Sequence, residues 1–288
     1  MSLSFCKLDL AHPVVNASGT FDVLAARAVF GAALETDFPF AAFVSKTITL
    51  EPRRGNSPRR LCEAPAGLIN SIGLPNKGLE GYLAHDLPQL AKLPVPLITN
   101  VMGSTVTEIA TLLERCGERA EIAALELNVS CPNIETGLDI GADPVALEGV
   151  VREVRPCTSK PLIVKLTPNT ADVAACARAA EAGGADAVSL INTLRATALA
   201  PEIRSQGRVP WLGGGTGGLS GPAIRAVALA QVAAAAAAVS IPVVGMGGVQ
   251  SATHARDLLD VGATLVAVGT ESFRDPAAGG RIARELAA

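Results

Sequence analysis

The segment Asn128-Val-Ser-Cys-Pro-Asn133 carries the residue types best suited to acid–base or nucleophilic chemistry. Cys131 follows an apolar run, and Pro132 stops any immediate helix, which predicts a thiol on a loop just past a strand. A thiolate is a nucleophile or a base, and the usual thiol pKa near about 8.5 leaves it partly ionised at neutral pH. Asn128 and Asn133 flank it with amides that donate and accept in one plane. The competing reading is a small cysteine that merely packs, and that is the expectation for Cys6, Cys62, Cys116, Cys157 and Cys176. Lys46 and Lys165 each close an apolar run, where an ammonium is costly unless it meets an anion. The alternatives are a lysine snorkelling to a rim carboxylate and a Schiff-base lysine. Gly247-Gly248 and Gly269-Thr270 sit where backbone N–H groups can form an anion nest, which suggests a phosphate-bearing ligand. His12, His85 and His254 are isolated, with no metal-ligand spacing joining them, so they are expected to be surface or structural.

These residues need a scaffold that gathers them. Apolar runs recur at Val14–Ala17, Ala41–Ser45, Leu97–Val101, Ala124–Val129, Leu162–Leu166, Ala187–Ile191, Pro242–Gly245 and Leu265–Val268. Continuous runs of this length suit strands buried on both faces of a parallel sheet. Helical spacing appears between most of them, at Thr105–Cys116, Pro144–Val154, Thr170–Ala182, Ala223–Val239 and Ala252–Val261. Eight strands alternating with helices predict an α/β fold, a (β/α)8 TIM barrel in one domain spanning 1–288. The alternative, a doubly wound open sheet, lacks a G-x-G-x-x-G sequence in its first βα connection. Nearly every run ends in a polar residue or glycine: Asn16, Ser45-Lys46-Thr47, Asn100, Asn128, Lys165, Asn192-Thr193, Gly247-Gly248 and Gly269-Thr270. In a barrel all these ends converge on the face where active sites are built. Two long connections, Leu50–Pro94 and Leu194–Pro222, interrupt the pattern, and connections of that length are usually functional. The first carries Glu51-Pro-Arg-Arg-Gly-Asn-Ser-Pro-Arg-Arg60, expected to be a solvated basic loop.

Composition closes off other classes. The chain has 288 residues, 49% apolar and 18% charged, too apolar for a disordered protein. Lys plus Arg number 24 against 27 Asp plus Glu, a net charge of −3, and aromatics are only 3%. That balance is a poor match to nucleic acid or an anionic membrane surface. The most apolar stretch, Ala226–Val244, is broken by Gln231, Ser240 and Pro242 and reads as a buried helix, a turn and a strand. The start, MSLSFCKLDLAHPVV, has no secretory pattern. The six cysteines include no C-x-x-C pair, which fits a reducing cytoplasm and argues against a zinc or iron–sulfur site in the chain.

The motifs together resemble the class 1 dihydroorotate dehydrogenases. The resemblance rests on Asn128–Asn133, Ser45-Lys-Thr47, Asn70-Ser-Ile-Gly-Leu-Pro-Asn76, Leu162-Ile-Val-Lys-Leu-Thr-Pro-Asn169, Gly217-Gly-Leu-Ser-Gly-Pro222, Gly245-Met-Gly-Gly248 and Val268-Gly-Thr270. It covers essentially the whole chain, with the motifs in the family's order. It implies an FMN-dependent barrel, one FMN per chain, that oxidises (S)-dihydroorotate to orotate in pyrimidine synthesis. Cys131 holds the position of the family's general base, where membrane-bound class 2 enzymes have Ser. Lys46, Asn70, Ile72, Gly73, Leu74, Asn128, Asn133, Asn192 and Thr193 align with orotate-binding positions. Ala17, Ser18, Lys46, Thr47, Asn100, Asn128, Lys165, Ile191, Gly221, Gly247, Gly248, Gly269 and Thr270 align with flavin-binding ones. The stretch Ile134–Asp143 is expected to act as a lid over Cys131.

Ile191-Asn-Thr-Leu and Gly217-Gly-Leu-Ser-Gly look most like class 1B, although Leu194-Arg-Ala-Thr197 departs from that class's Gly-containing stretch. Class 1B implies a homodimer core in a heterotetramer with a partner subunit that carries FAD and a 2Fe–2S cluster and reduces NAD⁺. This chain lacks a C-x₄-C-x₂-C pattern, so the cluster would come from the partner. Class 1A, a fumarate-reducing homodimer, is the alternative subclass. Further alternatives are a flavin barrel acting on another pyrimidine, a barrel aldolase using Lys46 or Lys165, and a non-catalytic binding or assembly subunit.

Overall fold

The computed structural model describes residues 3–130, 140–202 and 207–288. Eight parallel strands form one sheet in sequential order: β1 (Val14–Asn16), β2 (Phe43–Val44), β3 (Leu97–Val101), β4 (Ala124–Asn128), β5 (Leu162–Lys165), β6 (Ala187–Leu190), β7 (Val243–Met246) and β8 (Leu265–Val268). β8 pairs with β1, and every other neighbour pairs except β1 with β2. That gap is closed largely by a side chain. The Asn16 carboxamide accepts from Val44 N–H at 2.8 Å and donates to the Val44 carbonyl at 2.7 Å, doing what a peptide unit would do in a ladder. Ala41 N–H adds a backbone bond to Val14 at 2.9 Å. The ring is therefore the expected (β/α)8 barrel.

Asn16 is fully buried, so Asn16→Ala strands a backbone donor and acceptor of Val44 without water. It is expected to lower stability by about 2–4 kcal/mol. Urea unfolding measures this, and an unshifted midpoint would show that β1 and β2 close without the amide.

Two apolar cores explain why the strand runs are continuous. Outward residues such as Leu125, Leu127, Val164, Val188 and Val266 pack against the helices through Ile109, Leu112, Leu147, Val151, Ala180, Val232 and Leu258. Inward residues Val15, Val44, Ile98, Ala124, Ile163, Ala187, Val244 and Leu265 fill the barrel. An N-terminal hairpin (Leu3–Phe5 with Leu8–Leu10), which sequence patterning did not reveal, seals the bottom with Phe5 and Leu10. The helical expectations hold at Val106–Gly117, Pro144–Val154, Val173–Ala182, Arg225–Ala238 and Ala252–Asp260, the second with the expected bounds and the others with one or both ends shifted. Thr105, Asp143, Asp172 and Ser251 cap four of them through side-chain acceptors, which starts the first and third beyond the expected Thr105 and Thr170. Among the described residues, no helix is long and apolar enough to cross a membrane.

The two long connections are not independent loops. Leu61–Ala64 and Gly67–Asn70 from the first join Gly217–Ser220 and Leu194–Ala196 from the second in a four-stranded antiparallel sheet. Gly217 and Gly218 make this possible. A Cβ on Gly218 would collide with the Thr193 hydroxyl, and one on Gly217 with the Asn70 carbonyl. The basic loop is exposed as expected at Arg53 and Arg54. Arg59, however, stacks over Trp211 at 3.5 Å and so ties the two connections together, while Arg60 donates to the Asn56 carbonyl at 2.6 Å within the first.

Candidate active site

The C-terminal ends of the strands open into a cavity of about 470 Å³, walled above by the small antiparallel sheet. That volume is within the range of small-ligand and cofactor sites. Its lining gathers most of the residues singled out from sequence. Lys46, Asn70, Ile72, Leu74, Asn128, Asn192 and Thr193 reach it from β2, the first connection, β4 and β6. Ala17, Ser18, Thr47, Lys165, Ile191, Gly221, Gly247, Gly248, Gly269 and Thr270 complete that group. Cys131, Asn133 and most of the proposed lid, Ile134–Asp139, lie outside the described residues. Ile140–Ala142 forms a short 3-10 turn and Asp143 caps the next helix.

Two expected ligand residues stand apart from the wall. Gly73 lies at positive φ in a tight turn, where a Cβ would strike Asn56. Asn100 is fully buried and off the lining. Its backbone N–H donates to Ser45 Oγ at 3.0 Å and its side-chain amide donates to Glu126 Oε1. Glu126 also accepts from Ser189 Oγ at 2.8 Å. Asn100 Oδ1 has no partner among the described residues. A buried acceptor left open in this way favours a ligand donor.

Lys165 ends β5 and is only 5% exposed, and its ammonium has no hydrogen-bond or ion-pair partner among the described residues. An ammonium so placed calls for an anionic or electron-rich ligand group. Lys46 is exposed to the cavity mouth, and partial desolvation lowers its pKa from the ordinary lysine value. Asp22, the cap of the helix Val23–Phe30, opposes that shift and Arg60 adds to it. The amides are pre-set by short-range bonds. Asn70 donates to the Gly218 carbonyl at 3.1 Å, Asn128 Oδ1 accepts from Ser130 N–H at 3.2 Å, and Asn192 donates to Ser130 Oγ at 3.0 Å.

The glycine loops occupy the opposite arc of the ring, after β7 and β8 beside β1. Gly221, Gly247 and Gly248 have positive φ. A Cβ on Gly248 would press on Arg225 and on the Gly221 carbonyl, and one on Gly247 on Ala228. The N–H groups of Gly247, Gly248, Gly269 and Thr270 have no acceptor among the described residues. This is a backbone cradle suited to a phosphate. Ser18 donates to the Ser45 carbonyl at 2.8 Å and Thr270 to Ser220 Oγ at 2.8 Å, which fixes the neighbouring hydroxyls.

Sequence reasoning missed Thr20, Leu68, Met102, Ser130, Ser220 and Phe273 of the wall. Ser130 and Ser220 lay inside recognised motifs, whereas Leu68, Met102 and Phe273 have side chains with no chemical signature. The other cysteines behave as expected of packing residues where burial acts on them. Burial pushes the Cys116 thiol up to about 12, and burial with Asp186 nearby pushes Cys6 up to about 11. Cys176 is raised by burial as well. Two histidines are structural, His12 accepting from Val14 N–H and His254 from Gln250 N–H, both at 3.3 Å, and His85 is exposed.

The sequence model of the family described as Dihydroorotate dehydrogenase matches residues 1–288. A protein of Pelobacter propionicus, named dihydroorotate dehydrogenase B (NAD(+)), catalytic subunit, is 45% identical over 287 residues, covering 99% of this chain and 92% of its own. Proteins of the same name from Trichlorobacter lovleyi and Geobacter sp. strain M21 are 44% and 42% identical over 287 residues, each match covering 99% of this chain and 92% of the relative.

Proposed function

The chain belongs to the dihydroorotate dehydrogenase family, and from that premise we propose that it is the catalytic subunit of a class 1B enzyme oxidising (S)-dihydroorotate to orotate in pyrimidine biosynthesis. One observation carries the reading. A single cavity joins a phosphate-type backbone cradle, an unpartnered buried lysine and a set of fixed carboxamides. These fit FMN and a pyrimidine carboxylate side by side. The cradle of Gly247, Gly248, Gly269 and Thr270 holds the phosphate, and Lys165 with Asn100 serves the flavin's pyrimidine ring. Bound FMN supplies the hydride acceptor.

The chain's own residues do the rest. Lys46 offers positive charge to the substrate carboxylate, and Asn70, Asn128, Asn133 and Asn192 match its amide edges with paired donors and acceptors. Thr193, Ile72 and Leu74 complete the substrate wall, and Gly73 forms the turn that presents Ile72 and Leu74. Cys131 Sγ removes the proton from substrate C5 as hydride leaves C6. Lys165 stabilises the negative charge that develops on the flavin side.

The relatives' name, catalytic subunit of an NAD(+) enzyme, supports a partner that carries electrons onward, and we place FAD and a 2Fe–2S cluster on that partner, around a homodimer core in the cytoplasm. The purified chain is expected to be yellow and to be bleached anaerobically by dihydroorotate. It should reduce dyes or oxygen but hardly reduce NAD⁺, because it has neither a dinucleotide fingerprint nor cluster cysteines. Efficient NAD⁺ reduction by the chain alone would contradict the two-subunit reading, and efficient fumarate reduction would favour class 1A. A colourless protein inert to dihydroorotate would overturn the enzyme reading.

A further inference from the structure

Two residues outside the cavity lining link the loops that form the phosphate cradle. Glu271 directly follows Thr270, and its side chain is only 3% exposed. Its Oε1 accepts from Arg274 Nε at 3.2 Å and lies 3.7 Å from Arg281 Nη2. Its Oε2 accepts from Gln250 Nε2 at 2.9 Å. Gln250 lies two residues beyond Gly248, and its backbone carbonyl accepts from both terminal nitrogens of Arg281 at 3.3 Å. Arg281 is held in turn by Asp275 at 3.1 Å. The loop after β7 and the loop after β8 are thus joined side chain to side chain as well as through their strands.

Arg225, against which a Gly248 Cβ would press, is paired with Asp257. Recognition of an anion therefore falls on the backbone N–H groups of the two loops. Such a cradle works only while its two halves keep one separation, because a phosphate must reach donors on both at once.

We propose that Glu271 and Gln250 are positioning residues that clamp the β7 and β8 loops at the spacing a phosphomonoester requires, so that they set selectivity for the phosphorylated flavin. This rests on the FMN reading above. Neither side chain touches the ligand; each acts through the glycines beside it. Removing the Gln250–Glu271 bond leaves the loops joined, among the described residues, only by Arg281 and by their strands, which loosens their spacing and weakens only the phosphate end of the ligand.

The test compares binding of FMN and riboflavin, by quenching of flavin fluorescence, to the apo forms of the wild-type, Glu271→Ala and Gln250→Leu proteins. Wild type is expected to prefer FMN. Both variants should lose FMN affinity by about tenfold or more while riboflavin affinity stays within about twofold. Gln250→Leu leaves the Glu271–Arg274 and Glu271–Arg281 pairs in place, so it answers the question if Glu271→Ala fails to fold. Equal loss for both flavins, or no loss for either, would overturn the clamp while leaving the FMN reading intact. A wild-type chain that binds neither flavin would overturn the FMN reading and the clamp with it.

Discussion

Lys165→Ala is expected to slow anaerobic reduction of the flavin by dihydroorotate by about 10²–10³-fold, the usual cost of removing one preorganised charge-stabilising donor. The expectation comes from the position of the ammonium. It sits at the end of β5 on the cavity wall, 5% exposed, with no partner among the described residues. A cation that faces the cavity with no protein partner gains one when negative charge develops beside it, so its contribution is larger in the transition state than before the reaction. Loss of FMN from the variant would confuse the reading, so the flavin content is measured first and the half-reaction is followed by stopped flow. A variant that retains FMN and reduces it at near wild-type speed would remove Lys165 from the chemistry and leave it a binding residue.

Cys131→Ser should keep FMN and orotate binding, because thiol and hydroxyl are close in size, yet flavin bleaching at pH 7 should collapse. Deprotonation makes the thiol a base, so the wild-type rate should rise with pH until the thiol is ionised. A serine hydroxyl is a far weaker acid, so the Ser variant should recover partly only at strongly alkaline pH. Cys131→Ala should not recover at any pH. The remaining cysteines offer little help: Cys116 and Cys6 are pushed up to about 12 and about 11, chiefly by burial, and are still less ionised at neutral pH. The measurement is anaerobic bleaching by dihydroorotate across pH for the three proteins. If the Ser and Ala variants both bleach like wild type at neutral pH, Cys131 is a packing residue and the base must be sought elsewhere.

How much of this was readable from residues alone depends on the kind of residue. The barrel strands were legible because a strand covered on both faces must be apolar throughout, as Leu162–Val164 and Leu265–Val268 are. The polar ends of those runs were legible because Asn128, Lys165 and the glycine pairs have no apolar reason to sit there. The sequence by itself therefore determined the eight-stranded repeat, the face on which the site is built and most of the polar and glycine residues that now share one cavity.

Only the tertiary structure decided the rest, because it depends on contacts between residues far apart in the chain. Asn16 reads as one more polar strand end, but closing β1 onto β2 requires the amide to face Val44, 28 positions away. Leu61–Ala64, Gly67–Asn70, Leu194–Ala196 and Gly217–Ser220 carry weak strand signals individually, and they become a sheet only when Gly217 and Gly218 lie against Asn70 and Thr193. Gly73 and Asn100 sit just behind the wall residues, held by packing against Asn56 and by bonding to Glu126, and neither contact could be read from the motifs. Pattern and periodicity report local backbone preference and burial. Which polar group meets which is fixed by chain closure, and that is settled only when the barrel is complete.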